Sequence, residues 1–317
     1  ARQMLEIARR YYLNDQSMVT ISEQLGVSRF KVARLLKEAR DTGLVQITLH
    51  TGGTEDAELG AKLARHLGLR QAIVVEAFGT REEVRHIVGL AAGRHLQRTL
   101  RAGETLGLTW GRTLTHMIES LESLPNVQIL QLTGHVGSNL RESPIELARR
   151  ASLIGGNNAK AIMAPLYVES LQAAQALRNQ PDIKEVFDLF DTVTTAIAAV
   201  GSFAPAADGG ANSQFLPLLP LATRERLLAT GAIAEVCGLP FRADGSLADP
   251  ELTEHIFSIS AEQLGRIPRV IAIASDPSKA EATLALWRAD VISELVVDVD
   301  LAEALLSAPA KLTTESS

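Results

Sequence analysis

The stretch SMVTISEQLGVSRFKVARLLKEARDTG, residues 17–43, decides how the front of the chain folds. Thr20 is placed to start a helix with Ile21 and Leu25 as its apolar stripe, and Gly26 permits a tight turn into a second helix capped by Ser28. In that second helix Val32, Leu35, Leu36 and Ala39 recur at helical spacing on one side, while Phe30, Lys31, Arg34 and Lys37 point the other way. Helix, glycine turn and capped basic helix together read as a helix-turn-helix. An aromatic ring has little reason to stand on a solvent face, but in a major groove it can meet thymine methyls while basic side chains reach base edges or phosphates. Ser28, Arg29, Phe30 and Lys31, at the N-terminal end of the recognition helix, are the candidates for base reading. Arg34 and Lys37 are expected mainly on phosphate, and Thr20 completes the DNA-binding set. DTGLVQITLH (41–50) reads as a turn and strand, the wing of a winged fold. The plainer alternative is a helical hairpin with a solvated basic face.

Charge supports a division of labour. The first 50 residues hold eight Lys/Arg and five Asp/Glu, whereas the remaining 23 Lys/Arg face 32 Asp/Glu, so only one end suits phosphate. With 317 residues, 46% of them hydrophobic, the chain has material for about two domains. No apolar run approaches the roughly 18 residues of a membrane helix, and ARQMLEIARRYY at the front is amphipathic, without the unbroken apolar segment of a signal peptide. A cytoplasmic location is therefore expected. The front helix reads as a support for the reading head or as a dimer-forming helix. Cys237 is the only cysteine, which excludes an internal disulfide and a thiolate zinc cluster; in AIAEVCGL it reads as a packed thiol. No metal or cofactor is expected.

Beyond TGGTEDAE, strand-like runs alternate with helical segments. QAIVVEA (71–77), TLGLTW (105–110) and VQILQLTG (127–134) each precede a helical pattern, and AKAIMAPLYV, TVTTAIAAVG, RVIAIAS and ELVVDV continue the series. Short apolar strands separated by helices imply a largely parallel sheet covered on both faces, a Rossmann-like α/β domain. Ligands in such sheets bind beyond the C-terminal strand ends, where helix N-termini offer N–H groups to anions. Three loops qualify. TWGRT places Gly111 at a strand-to-helix turn with Arg112 and Thr113 opening the helix; LTGHVGSN follows a strand with Thr133, Gly134, His135, Gly137 and Ser138. In ASDPSKAEA, Asp276 and Pro277 are explained by capping alone, but Lys279 opposes the helix dipole and so points to an anionic partner.

Taken in order, YYLNDQSMVTISEQLGVSRFKVARLLKEARDTGLV, LGLTWGRTL, LQLTGHVGS, APLYVES, GAIAEVCGLPFRADG, IPRVIAIASDPSKAEAT and ELVVDVDLAEALL make the chain resemble bacterial transcriptional regulators of the SorC/DeoR type. The resemblance covers nearly the whole chain. It implies a sugar-binding effector domain related in fold to sugar-phosphate isomerases and deaminases, with the pocket kept and catalysis lost, and assembly as a homo-dimer or homo-tetramer. Gly111, Thr113, Thr133, Gly134 and Lys279 match the family's pocket positions. Departures stand at His135, at Ala199, at Ala234, at Arg242 and at Asp276, where the family commonly has other residues, mostly glycine. They leave two readings open: His135 and Arg242 contact a sugar phosphate, or Asp276 and Glu235 accept hydrogen bonds from an uncharged sugar or polyol.

The expected organisation is a helix-turn-helix domain over 1–52, a hinge over 53–58, an effector and oligomerisation domain over 59–310, and a flexible tail over 311–317. The expected partners are double-stranded operator DNA and a sugar phosphate or polyol effector. Two competing functions are a sugar-phosphate isomerase or deaminase, for which His116, His135, Asp208 and Glu235 supply polar groups but no recognisable catalytic constellation, and a constitutive DNA-binding oligomer.

Overall fold

A computed structural model of the chain describes residues 2–45, 53–137 and 143–309. The chain forms two compact units, Ala1–Thr51 and Gly52–Ser317.

The first unit contains α1 (Arg2–Tyr12), α2 (Met18–Leu25) and α3 (Arg29–Asp41). Its core is Ile7, Ala8, Ile21, Val32, Leu36 and Ala39, so α1 supports the other two helices. The α2 cap is not Thr20. Ser17 accepts the Thr20 N–H at 3.1 Å, which starts the helix at Met18 and leaves Thr20 in its first turn, its hydroxyl 2.8 Å from that of Ser17. Gly26 ends α2 at φ 61°, where glycine carries no Cβ penalty. Ser28 then caps α3, accepting the Lys31 N–H at 3.2 Å. The wing assigned to 41–50 lies largely outside the described residues.

In the second unit α4 (Ala57–Leu67) leads to β1 (Gln71–Val75), α5 (Arg81–Thr99), β2 (Thr105–Leu108), α6 (Arg112–Glu119), β3 (Gln128–Gln131), α7 (Pro144–Gly155) and β4 (Ala159–Lys160). There follow α8 (Leu171–Arg178), α9 (Pro181–Asp188), β5 (Thr195–Ala199), β6 (Gly201–Ser202), α10 (Leu221–Ala229), β7 (Ala232–Val236) and β8 (Leu239–Arg242). The unit closes with α11 (Pro250–Thr253), α12 (Ala261–Arg266), β9 (Arg269–Ile273), α13 (Ala280–Arg288), β10 (Glu294–Asp298) and α14 (Val299–Leu306).

Seven strands form a wholly parallel sheet in the order β1-β10-β9-β5-β2-β3-β4. Both faces are buried, as a parallel sheet between helices requires. Along β1, Ala72 and Val74 join one core while Ile73 and Val75 join the other, the period-two alternation of a strand. From β2 the chain steps outward through β3 and β4, then crosses to the opposite side of β2 and continues with β5, β9 and β10. The strand order reverses between β2 and β5, and there the parallel-sheet rule places a ligand crevice.

Three features differ from the sequence reading. The interval 53–58 is not a free hinge: the Asp56 N–H donates to the Val74 carbonyl at 2.8 Å, the Glu76 N–H donates to the Thr54 carbonyl at 3.0 Å, and Asp56 caps α4. These bonds blunt the otherwise open edge of β1. The helical pattern after TLGLTW, read in the sequence over RTLTHMIESLES (112–123), ends as a helix at Glu119. The segment GAIAEVCGLPFRADG forms most of a small antiparallel sheet, β6-β7-β8, to which no strand had been assigned. Its hairpin turns on Cys237 and Gly238 at φ 59° and 77°, the two positive values a tight primed turn needs. The tail 311–317 lies outside the described residues.

Candidate functional site

At the C-terminal end of β2, the chain enters α6 through Gly111, whose φ of 148° is glycine territory and whose hypothetical Cβ would lie 2.8 Å from that of Ala199 on β5. No side-chain hydrogen bond caps the first turn of α6, and Gly111, Arg112 and Thr113 at that turn line the crevice. Between β5 and β6 the chain passes from the parallel sheet to the antiparallel one, with Val200 donating its N–H to Ile273 and Gly201 pairing with Glu235.

These strand ends border a cleft of about 520 Å³ when the space open to solvent is counted with it. Thr109, Trp110, Gly111, Arg112 and Thr113 line it from β2 and α6, and Ala199, Val200 and Gly201 from β5 and β6. Arg85 enters from α5, Asn212 and Gln214 from the loop before α10, Glu235 from β7, and Lys279 from the turn before α13.

The cleft is dominated by cations. Lys279 donates to the Val200 carbonyl at 2.7 Å, Arg112 to the Ala211 carbonyl at 3.2 Å, and Arg85 to Glu82 at 3.2 Å. Burial pushes the Lys279 ammonium down to about 8, and the neighbouring charges of Arg85, Arg112 and Arg81 push the same way against Glu235. Glu235 is 4% exposed, and burial drives its carboxyl up to about 7 although the Gly238 N–H, Lys279 and Ser213 favour the ionised form. Among the described residues that line the cleft, three cations therefore face one carboxylate. An anion placed there meets positive charge at low dielectric and an uncapped helix N-terminus.

Against the expected residues the outcome divides by loop. Gly111, Arg112, Thr113, Glu235 and Lys279 come together in the cleft. The second loop does not: the Gly134 N–H donates to Phe257 and the His135 N–H to Ala164, so these backbone donors are spent on neighbouring segments. Gly134 is required because a Cβ would lie 2.7 Å from the Pro165 backbone, and the His135 ring contacts Ser143 at 3.1 Å. Thr133 is fully buried and Gly137 only turns the chain at φ 62°, while Ser138 lies outside the described residues. Arg242 is a correction as well. Its guanidinium donates to the carbonyls of Thr230, Leu247 and Ala248, which braces the β8 hairpin away from the cleft.

Asp276 borders an adjoining depression with Arg81, Arg85 and Lys279 rather than the cleft itself. It stands at φ 86°, where glycine is favoured, and is held there by accepting from the Ser278 N–H and hydroxyl at 2.9 and 2.6 Å and by Arg81 at 3.4 Å. The carboxylate is thus engaged locally instead of standing free for ligand hydroxyls.

Arg85, Asn212 and Gln214 were missed. Arg85 follows β1 by the same strand-to-helix logic as Arg112 but sits in the second turn of α5; Asn212 and Gln214 lie in an irregular polar loop without periodicity. Of the residues expected to meet DNA, Phe30 is 89% exposed, Ser28, Arg29, Arg34 and Lys37 are exposed, and Lys31 is half-buried. Of the polar groups named for catalysis only Glu235 lines the cleft. His116 contacts Glu82 at 2.8 Å and Asp208 pairs with Arg81 at 2.9 Å. Among the described residues no group of three His, Cys, Asp or Glu is placed to hold a metal, and no helix is long and apolar enough to cross a membrane.

Gly201 is where the cleft is least tolerant. A Cβ there would fall 2.0 Å from the Glu235 carboxylate, which is buried and cannot swing clear. Gly201→Ala is expected to cost about 1–3 kcal/mol by overpacking and to abolish ligand-induced stabilisation, read from melting curves with and without ligand.

The family described as "Putative sugar-binding domain" matches residues 53–307. The chain is 27% identical over 310 residues to the "Uncharacterized transcriptional regulator YjhU" of Escherichia coli (strain K12), across 94% of this chain and 92% of that one. It is 25% identical to the "Sorbitol operon regulator" of Klebsiella pneumoniae, across 96% and 98% of the two chains. The crystal structure of the full-length sorbitol operon regulator SorC from Klebsiella pneumoniae shares the fold with a TM-score of 0.72 at 24% identity, covering 96% of this chain and 98% of that chain.

Proposed function

The chain belongs to the sugar-binding domain family of SorC/DeoR-type transcriptional regulators, and from this we propose that it is a ligand-controlled DNA-binding regulator of carbohydrate metabolism whose effector is a phosphorylated sugar or polyol. The observation that carries the anionic effector is the convergence of Arg85, Arg112 and Lys279 on one cleft at the strand-order reversal. Trp110, Asn212 and Gln214 supply an apolar wall and neutral polar groups for the rest of such a ligand. A sugar phosphate satisfies both parts; an uncharged polyol brings no anion to Arg112 and Lys279, which donate to backbone carbonyls, while Arg85 already pairs with Glu82.

In this reading α3 enters the major groove of operator DNA. Ser28, Arg29, Phe30 and Lys31 meet base edges, and Arg34 and Lys37, with Thr20 from α2, meet the backbone. Paired heads in a homo-dimer or homo-tetramer gain affinity from linkage on repeated half-sites. An effector that binds one quaternary arrangement more tightly than another shifts operator occupancy by that difference. In this reading the cleft serves binding, with Glu235 and Lys279 as its titratable pair.

The test is a thermal-shift screen against matched pairs of sugars or polyols and their phosphate esters, since a ligand of the folded state raises the melting temperature. Stabilisation by phosphate esters alone is expected, followed by altered operator binding with the same compound; stabilisation by the uncharged members alone overturns the reading. On the DNA side, Arg29→Ala is expected to weaken operator binding by about 1–3 kcal/mol while ligand-induced stabilisation is retained, measured by fluorescence anisotropy over a salt series. Equal loss of both would assign Arg29 to folding.

A further inference from the structure

We infer that Glu235 enters the ligand-bound cleft as a neutral carboxylic acid, so that capture of a dianionic phosphate ester by Arg85, Arg112 and Lys279 carries a proton into the site. The inference rests on the anionic-effector reading above and names the protonation state that accompanies it.

The geometry leaves Glu235 a poor home for a charge once an anion arrives. Its Oε2 accepts the Gly238 N–H at 3.1 Å, and its Oε1 lies 3.5 Å from the Ser213 hydroxyl. Gly201 packs directly against the carboxylate. The Lys279 ammonium donates to the Val200 carbonyl at 2.7 Å, and among the described residues it makes no ion pair with Glu235. The charged and titratable groups facing Glu235 are Lys279 from the turn before α13, Arg85 from α5, Arg112 from α6 and the buried Cys237 thiol from its own hairpin, which burial pushes far up and keeps neutral. In the ligand-free cleft the nearby Lys279 charge helps keep the carboxyl from rising further than about 7. A dianion seated among these cations cancels their field and adds like charge in the same low-dielectric space, so the carboxylate loses its support and protonates. The neutral acid then turns an acceptor into a donor, with an O–H to offer a phosphate oxygen.

The bound state holds more protons than the free state, so affinity for a dianion falls as pH rises above about 7, approaching about tenfold per unit. Lys279, held at about 8 when free, contributes uptake of the same sign but at higher pH. An uncharged ligand leaves the field unchanged and binds without this slope.

The measurement is calorimetric titration of the full chain with sulfate, a dianion whose own charge is constant around neutral pH, in two buffers of different ionisation enthalpy. Net proton uptake near pH 8 and an affinity loss of about tenfold or more between pH 7 and 8.5 are expected. Glu235→Gln should bind sulfate at least as well, and lose most of the uptake, keeping a loss of about fourfold or less that belongs to Lys279. Glu235→Asp, which keeps an acid, should retain uptake and guards against a folding defect in the amide variant. Equal uptake and equal pH slopes in wild type and Glu235→Gln would overturn the inference while leaving the anion site standing. Absence of sulfate binding in wild type and Glu235→Gln alike would overturn the anionic-effector reading itself.

Discussion

Lys279→Met is expected to weaken binding of a phosphorylated effector by about 30-fold or more, the cost of truncating one member of a buried charge contact. Lys279 is the cation whose position has no structural alternative use on the scale of its charge. Its ammonium donates to the Val200 carbonyl, and it stands in the turn before α13 where the helix dipole disfavours a cation. Its ammonium is held down at about 8, against an ordinary value of 10.5, by burial and by Arg85, Arg112 and Arg81. The charged form is therefore disfavoured in the ligand-free protein, which loses stability as pH falls from 10.5 through 8. Methionine removes that opposition, so the variant's ligand-free melting temperature near pH 7 should be maintained or raised while the ligand shift collapses. Operator binding by the ligand-free protein should be unaltered. An unchanged shift with the phosphate ester would take Lys279 out of the site.

Arg269→Met is expected to destabilise the larger unit by about 3–5 kcal/mol, because it strands a buried carboxylate. At the start of β9, Arg269 donates to Glu294 at the start of β10 through Nε at 2.8 Å and a second nitrogen at 3.1 Å. His95 on α5 contacts the same carboxylate at 2.7 Å, which requires the proton on Nε2. The Arg269, Glu294 and His95 side chains are 8%, 3% and 2% exposed, and the exposed Arg70 reaches the same carboxylate only at 3.6 Å, so Arg269 has no close substitute there among the described residues. Burial pushes the Glu294 carboxyl up, but the bonds from His95 and Arg269 prevail and hold it at about 2. A folded value below the ordinary 4.5 contributes stability that is complete above that pH and lost as pH falls toward 2. Wild type should therefore weaken in this acid window, and Arg269→Met should show a shallower acid slope in urea midpoints across pH. Pairing Arg269→Met with Glu294→Leu should recover part of the loss, since an apolar pair removes the stranded charge; a double variant no better than the single would assign the effect to packing.

The chain's parallel strands were legible because each is a short apolar run bounded by turn residues, and QAIVV, TLGL and RVIAI all sit within the stretches read as strands. The recognition helix was legible for the same reason, its buried Val32, Leu36 and Ala39 falling at helical spacing. The antiparallel hairpin was not. It turns on a Cys-Gly pair, and a non-glycine residue at φ 59° carries no signal in the letter Cys. The site split along the same line. Gly111, Arg112, Thr113 and Lys279 occupy strand-to-helix turns, which local sequence announces, whereas His135 and Arg242 had the right chemistry in plausible loops and were claimed by Ser143 and by hairpin carbonyls.

Local sequence was enough for element type, for the basic head and for the strand-to-helix loops that line the cleft, because periodicity, caps and charge act over a few residues. Which loops converge is a long-range matter. Arg85 and Lys279 are brought into one cleft with Arg112 by a strand order that reverses between β2 and β5, and Glu235 reaches it only because β6 leaves one sheet to begin another. The shifted acidities of Glu235 and Lys279 arise from burial and mutual charge, which exist only once those distant segments pack together.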